Sequence, residues 1–227
     1  MAYFFGAEDI LAAIGVTAAD FNIKDVTPKT SKKHAVARTR VNEYVAASVV
    51  QFDEQTEYQV TLQAKTIAGA AATFNLGGSG GGTGSNIVIT AAKASMKSDD
   101  YATLVVTCHV HATTTTHEAS PAAVAVTTPV LGFGIIAHPA ISGTLPDELQ
   151  TAEWGVECDH KDYTTRLGVH LTGATSGVKY SWSLEMLDTG TSPTLATGYK
   201  ADDESTPSAP DGLRMRRLNG FYYSATP

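Results

Sequence analysis

The sequence predicts an all-β protein: an antiparallel β-sandwich or partial barrel with a short N-terminal helix and long loops. Several segments alternate apolar and polar residues with a period of two, the signature of half-buried strands. Aliphatic β-formers and Thr dominate, while helix-favouring Glu, Lys and Leu are sparse. Gly, Pro and Thr punctuate the chain with no long helical pattern between the strands, which favours antiparallel connections over βαβ crossovers.

The elements follow in order. Glu8 and Asp9 precede Ile10, Leu11 and Ile14, and Gly15 stands where a helix would stop. Two acids at the start suit the dipole of a helix of about two turns. The period then changes to two, and Phe21 and Ile23 open a strand. The stretch after it holds Lys24, Pro28, Lys29, Lys32, Lys33, Arg38 and Arg40, and it reads as a mobile loop or arm.

Residues 57–65 place Tyr58, Val60, Leu62 and Ala64 on one face, with Glu57, Gln59, Thr61, Gln63 and Lys65 on the other. Residues 101–111 repeat the pattern, with Leu104, Val106, Cys108 and Val110 opposite Thr103, Thr107, His109 and His111. Residues 153–159 put Trp154, Val156 and Cys158 on the apolar side. Residues 166–172 do so with Leu167, Val169 and Leu171, and residues 178–186 with Val178, Tyr180, Trp182, Leu184 and Met186. Residues 87–89 and 130–136 are shorter candidates.

Three stretches read as loops. Residues 77–84 (Gly-Gly-Ser-Gly-Gly-Gly-Thr-Gly) form a flexible connection or hairpin tip. Residues 111–129 are rich in Thr, Ala and Pro. Residues 189–211 hold Pro193, Pro207, Pro210 and the acidic run Asp202-Asp203-Glu204. Hydrophobicity returns at Leu213, Leu218, Phe221, Tyr222 and Tyr223, so the C-terminal segment is expected to dock.

A chain of 227 residues, 43% hydrophobic and 17% charged, can bury a sizeable core. Residues 1–227 are read as one β domain, with 16–112 and 130–227 as candidate pseudo-duplicated halves. A formal net charge of −7 opposes non-specific DNA binding, which needs a positive footprint. It suits a surface past which DNA slides. No apolar run reaches the ~18 residues of a membrane span. The opening Met-Ala-Tyr-Phe-Phe-Gly lacks the basic and hydrophobic regions of a signal peptide. Cys108 and Cys158 are too few for a disulfide framework, and assembly in a reducing cytoplasm is the simpler expectation.

The motifs that carry chemistry elsewhere are weak here. Residues 77–81 satisfy G-x-S-x-G, but more glycines and then a strand follow, where a nucleophile elbow needs a helix. The same loop lacks the Lys-Ser/Thr of a phosphate cradle. His109-Val110-His111 is a metal-ligand spacing, with His117 and Glu118 near in sequence, but no H-E-x-x-H or Cys-rich partner accompanies it. Whether His109 and His111 bind a metal stays open at the level of sequence; histidines at a polar sheet surface or subunit contact are the expectation. Cys108 and Cys158 fall on apolar faces and read as inert core thiols. Glu153, Glu157, Asp159 and Asp162 cluster around one strand, as solvated strand faces commonly do, although paired carboxylates could serve glycoside hydrolysis. Trp154 and Trp182 lie on apolar sides and read as core. The basic stretch from Lys24 to Arg40 has no interleaved aromatics for a single-strand groove. With Asp202, Asp203 and Glu204 in the same chain, it suits head-to-tail contacts between copies.

Three passages resemble bacteriophage major tail or tail-tube proteins. The first runs from a strand and charged loop through Asn42-Glu43-Tyr44-Val45-Ala46 and an acidic turn into Tyr58-Gln-Val-Thr-Leu62. The second is Ser98-Asp-Asp-Tyr101 followed by the Thr-rich strand to His109. The third spans Trp154-Gly-Val-Glu-Cys-Asp-His160 to Tyr180-Ser-Trp-Ser-Leu184. The resemblance covers most of the chain, in pattern rather than identity. It implies a structural, non-enzymatic virion protein, a tail-tube or tube-like baseplate ring subunit located in the virion tail and assembled in the bacterial host cytoplasm. It further implies rings, commonly of six copies, stacked head-to-tail through long loops and terminal arms. Other tail proteins would be partners, double-stranded DNA would pass through the lumen without specific binding, and no membrane would be involved. No catalytic residue, no cofactor-binding residue, no metal ligand and no cofactor is expected. The alternative is a β-sandwich binding module, a capsid decoration or a receptor- or glycan-binding phage protein.

Overall fold

Ten strands form one hydrogen-bonded network in the computed structural model, which describes residues 11–12, 14–38, 46–77, 87–111, 124–164, 170–190, 192–205 and 214–222. They are β1 (Phe21–Arg38), β2 (Ala46–Ala64), β3 (Thr73–Leu76), β4 (Ile87–Lys97), β5 (Thr103–His111), β6 (Val124–Thr127), β7 (Leu149–Thr164), β8 (His170–Leu187), β9 (Asp203–Ser205) and β10 (Met215–Tyr222). The main path runs β1-β2-β5-β4-β7-β8-β10-β9, each strand antiparallel to the next. β3 joins this path through a single parallel bridge to β4 and pairs antiparallel with β6. The protein is therefore all-β and antiparallel nearly throughout, and the described path is open at β1 and at β9.

The alternation read from the sequence sets which face is buried. Val60, Leu62 and Ala64 of β2, Leu104, Val106, Cys108 and Val110 of β5, Trp154 and Val156 of β7, and Trp182, Leu184 and Met186 of β8 all face one core. Ala92, Ala94 and Met96 of β4 lie in the same layer. Phe74, Leu76 and Val126 of the β3–β6 ribbon, with Leu131, Ala140 and Ile141 of the chain that follows, cover it. His138 pins this cover down: its Nε2–H donates to the Glu153 carbonyl of β7 at 3.0 Å, and its Nδ1 accepts the Ala140 N–H at 3.3 Å.

Several expectations are corrected. The basic stretch after Ile23 is not a loop: β1 continues to Arg38 as the outermost strand, paired residue by residue with β2. Pro28 is tolerated there because an outermost strand leaves half its N–H groups without a ladder partner, and charged residues are the usual occupants of such edges. Residues 170–187 form one strand where two were expected, and Leu167 and Val169 lie outside the described residues. The candidate 87–89 extends to Lys97, because β5 and β7 flank Ala91–Lys97 on both sides and tertiary pairing overrides weak propensity. Residues 130–136 form no strand; isolated bridges Ala70–Leu131 and Tyr101–Phe133 tie them down, with Gly134 at φ 76°. Within the stretches read as loops, β6 and β9 add short strands, while residues 78–84 lie outside the described residues. The C-terminal segment does dock, as β10 against β8, although Leu213 and Tyr223 lie outside. Of the expected N-terminal helix, residues 8–10 and 13 lie outside the described residues. The described Leu11, Ala12 and Ile14 are helical and end in a turn at Gly15, with Val16 N–H on Leu11 O at 2.9 Å, but a complete short helix is not among the described elements.

β1–β2 and β7–β8 are much longer than the strands beside them. β5 pairs with β2 only from Gln55 to Gln63, and β4 pairs with β7 only from Thr151 to Glu157. Beyond those limits each hairpin runs on as a two-strand ribbon, from Lys33 and Phe52 in the first and from Asp159 and Ser176 in the second. Strand directions place both ribbons at the same end of the sheet.

Candidate functional site

Antiparallel pleating sends every second side chain to the face opposite the core. On that face nothing described covers the sheet. Its rows are hydroxyl- and amide-rich: Thr61 and Gln63 on β2, Thr103 and Thr107 on β5, Ser95 on β4, Thr151 on β7, Ser181 and Ser183 on β8, and Asn219 on β10. The charged residues described in the same rows are five carboxylates, Asp25, Glu57, Glu153, Glu157 and Glu185, and five cations, Lys29, Lys93, Lys97, Lys179 and Arg217.

Register sets most of these charges beside one of opposite sign. Arg217 lies directly across from Glu185, with Nη2 donating to Oε1 at 3.1 Å, and Thr151 donates to the other oxygen of Glu185 at 3.2 Å. Lys93 Nζ reaches Glu153 Oε2 diagonally at 3.0 Å. Glu57 stands between Lys29 and His109 in the register, with His109 Nε2 at 3.6 Å from Oε2. Glu157 faces Lys179. Exposed pairs of this kind add little stability, about 0–1 kcal/mol each. Their larger effect is to cancel the field over the face, leaving it polar without a strong sign. An open groove of about 460 Å³ crosses it, lined by Ser95, Lys97, Thr151, Glu185, Arg217 and Asn219 among others. Gly155 keeps this face smooth, since a Cβ there would stand 2.8 Å from Ser181 Oγ.

The residues singled out from the sequence fall as follows. Trp154 and Trp182 are buried in the core. Cys108 is buried and Cys158 half-buried, and both are free thiols. Burial first, then Glu57, pushes the Cys108 thiol up to about 12, and burial with Asp159 and Glu157 pushes Cys158 up to about 11. Neither is a poised nucleophile. Glu153 and Glu157 share a face but sit four residues apart on one strand, about 13 Å at the strand rise. That exceeds the ~5–9.5 Å of glycosidase carboxyl pairs. His109 meets Glu57 and lies 6.1 Å, ring centre to ring centre, from His160, whose Nδ1 is 3.2 Å from the Thr175 hydroxyl. His111 and His117 side chains lie outside the described ones. Among the described residues, no three His, Cys, Asp or Glu side chains stand together to hold a metal ion. Of the G-x-S-x-G run only Gly77 is described, at φ 77° against Thr175.

Sequence reasoning missed a second feature. Tyr180, Tyr199 and Tyr222 pack in series, with ring centres 5.8 Å (Tyr180–Tyr222) and 4.7 Å (Tyr199–Tyr222) apart. They line a groove of about 560 Å³ beside Val126, Pro129 and His138. Burial, followed by Tyr222 and Tyr180, raises the Tyr199 phenol to about 12. Tyr199 lies in the Pro-containing stretch read as a loop, and a lone Tyr gave no periodic signal there. No protein-family model matches this chain, and no curated protein matches it in sequence.

Proposed function

We propose that this chain is a structural virion protein: a phage tail-tube, or tube-like baseplate ring, subunit that self-assembles into stacked rings around a conduit for double-stranded DNA. The observation that carries the reading is the uncovered, charge-balanced face of a long antiparallel sheet that is open at both edges. Eight strands alternate in direction along the main path, so β1 and β9 run oppositely. Copies related by rotation about a ring axis would then bring β1 beside a neighbour's β9 in antiparallel register, continuing one sheet around the ring. Each copy would form a sector of a barrel wall, with its covered layer outside and its polar face lining the lumen.

Charge favours this joint over a two-fold one. β1 holds Lys24, Lys29, Lys32, Lys33 and Arg38, whereas Asp203 and Glu204 stand on β9. Pairing β1 with β1 would set a mainly basic strand, in which Asp25 is the one acid, against itself, whereas β9 brings Asp203 and Glu204, the latter also held by Arg216, beside the few β1 residues that its three-residue length can face. A lumen of Ser, Thr, Gln and Asn with balanced charges would neither repel the DNA from the tube nor hold its phosphates. In this reading no residue is catalytic, the ring holds about six copies, other tail proteins are partners, and the assembly resides in the virion tail. Sedimentation velocity and negative-stain electron microscopy of the purified full-length chain test it. Rings or tubes with an open centre are expected; a particle that stays monomeric at high concentration would refute it.

The tyrosine-lined groove favours a second reading, a capsid decoration or receptor- or glycan-binding module. Aromatic side chains in a groove with a polar rim suit ligand contact. Saturable binding of a host-surface glycan by a persistent monomer or trimer, abolished by Tyr199→Ala, would establish it in place of the first.

A further inference from the structure

We infer that the groove between β6 and the three tyrosines takes an extended, uncharged segment of a partner protein, added as a strand to the open edge of β6; this needs neither ring formation nor the glycan of the second reading above. β6 is the outer strand of the β3–β6 ribbon, and among the described residues it pairs with β3 alone. Thr128 N–H donates to the Ala72 carbonyl at 2.9 Å. By the alternation of an antiparallel ladder, Val124 and Val126 then bond toward β3, while Ala125 and Thr127 turn their N–H and C=O groups outward. Both residues are exposed. Outward backbone groups repeating every second residue are a template for another strand, and proteins usually blunt such an edge with a charge, a proline or a bulge. Val124-Ala125-Val126-Thr127 holds no charge and no proline, and its pairing with β3 runs without a register shift.

The groove beside that edge dictates what the segment carries. Residues 125–130 line it in one run, together with Tyr180, Tyr199, Tyr222 and Trp154. Among the described residues, no Asp, Glu, Lys or Arg lines it. His138 does, but both its ring nitrogens are committed, to the Glu153 carbonyl and the Ala140 N–H. An ionic ligand would lose water there without meeting a counter-charge. An uncharged strand would bond to Ala125 and Thr127 and lay every second side chain against the aromatic rings. The three phenol rings are half-buried and packed on one another, with centres 5.8 and 4.7 Å apart, so they are ordered before a partner arrives. Strand addition divides the work in this way: main-chain bonds give affinity, and the groove beside the edge selects the side chains.

Hydrogen exchange of the full-length chain tests this, with a panel of end-blocked hexapeptides that alternate Thr with Val, Leu, Tyr or Phe as the probe. At least one peptide is expected to bind saturably and to slow exchange of the Ala125 and Thr127 amides by about tenfold or more. N-methylating one set of its alternate residues should abolish binding, and N-methylating the other set should not, because only one set faces the edge. Ala125→Pro deletes an outward N–H at an edge position that accommodates proline. It and Tyr180→Ala should each weaken binding by about tenfold or more, with circular dichroism and thermal melting as folding controls. The N-methylated peptides leave the protein unchanged, so they decide the matter if a variant misfolds. No binding across the panel, or binding indifferent to N-methylation, would overturn the inference. A neutral oligosaccharide that fills the groove but leaves both amides exchanging freely would overturn it in favour of the second reading. Protection of the two amides in the protein alone, rising with its concentration, would put a second copy in the groove and overturn the assignment to a separate partner.

Discussion

His138 offers the most quantitative test of how the cover layer is held on the sheet. Its ring is buried, its Nε2–H is committed to the Glu153 carbonyl, and its Nδ1 accepts the Ala140 N–H. Burial lowers its pKa from 6.5 to about 4, an effect the Glu153 carbonyl only partly opposes. The unfolded chain therefore takes up a proton near pH 6.5 that the folded chain refuses until about pH 4. Unfolding thus binds protons within that window, and stability falls as the solution is acidified through it. At one pKa unit per 1.36 kcal/mol, the loss relative to neutral pH is about 1.4 kcal/mol at about pH 5.5 and about 2.5 kcal/mol at about pH 4.5.

Urea unfolding of the wild type and of His138→Gln at about pH 7.5 and pH 5.5 isolates this term, because carboxylate contributions are common to both proteins. Gln can donate to the Glu153 carbonyl but cannot take up the proton. The variant is expected to be less stable at neutral pH by about 1 kcal/mol, from the lost acceptor for Ala140. Its stability should then fall about 1.4 kcal/mol less on acidification than that of the wild type. Parallel pH profiles for the two proteins would refute the buried, neutral imidazole.

Gly220→Ala is expected to destabilise by about 1–3 kcal/mol, because its Cβ would enter the Lys200 carbonyl and meet Trp182 at 3.2 Å; the near-ultraviolet dichroism of Trp182 should change with it. Leu104→Ala, at a fully buried site on β5, is expected to cost about 2–5 kcal/mol in the same denaturation assay. Cys108 and Cys158 should resist a thiol-reactive disulfide reagent in the native protein at mildly alkaline pH, and both should react on unfolding; rapid native labelling would contradict their raised pKa values. Wild-type protein should leave double-stranded DNA unretarded on a gel at about 0.1 M salt, whereas the triple substitution Glu153→Gln, Glu157→Gln and Glu185→Gln, which strips three carboxylates from the polar face, should retard it.

The parts of the fold legible in the sequence are those where burial differs between the two sides of a strand. Tyr58–Ala64, Leu104–Val110 and Trp154–Val156 show this, each with core on one side and water on the other. β1 is legible only at its start, Phe21 and Ile23, because the rest of it has the pattern of an outermost strand, where charge and Pro28 resemble a loop. Ala91–Lys97 escaped because its small residues prefer helix, and only the strands on either side make it extended. Residues 130–136 misled in the opposite sense: Leu131 and Ile135 cover the core from an irregular strap rather than a sheet, while Phe133 and Ile136 are exposed. The polar face could be read from parity alone. Its charge balance could not, since Lys93 meets Glu153 and Arg217 meets Glu185 only through the pairings of β4 with β7 and β8 with β10.

The claim beneath the functional reading is that β1 of one copy lies beside β9 of the next. Thr27 and Ser205 are exposed on those two strands, and a Thr27→Cys, Ser205→Cys protein places one thiol at each edge while Cys108 and Cys158 stay shielded. Mild oxidation of the assembled protein should yield a ladder of covalent oligomers that collapses into one closed species of about six copies, with neither single variant linking at all. Dimers from Thr27→Cys alone, or no linkage from the double variant, would contradict it.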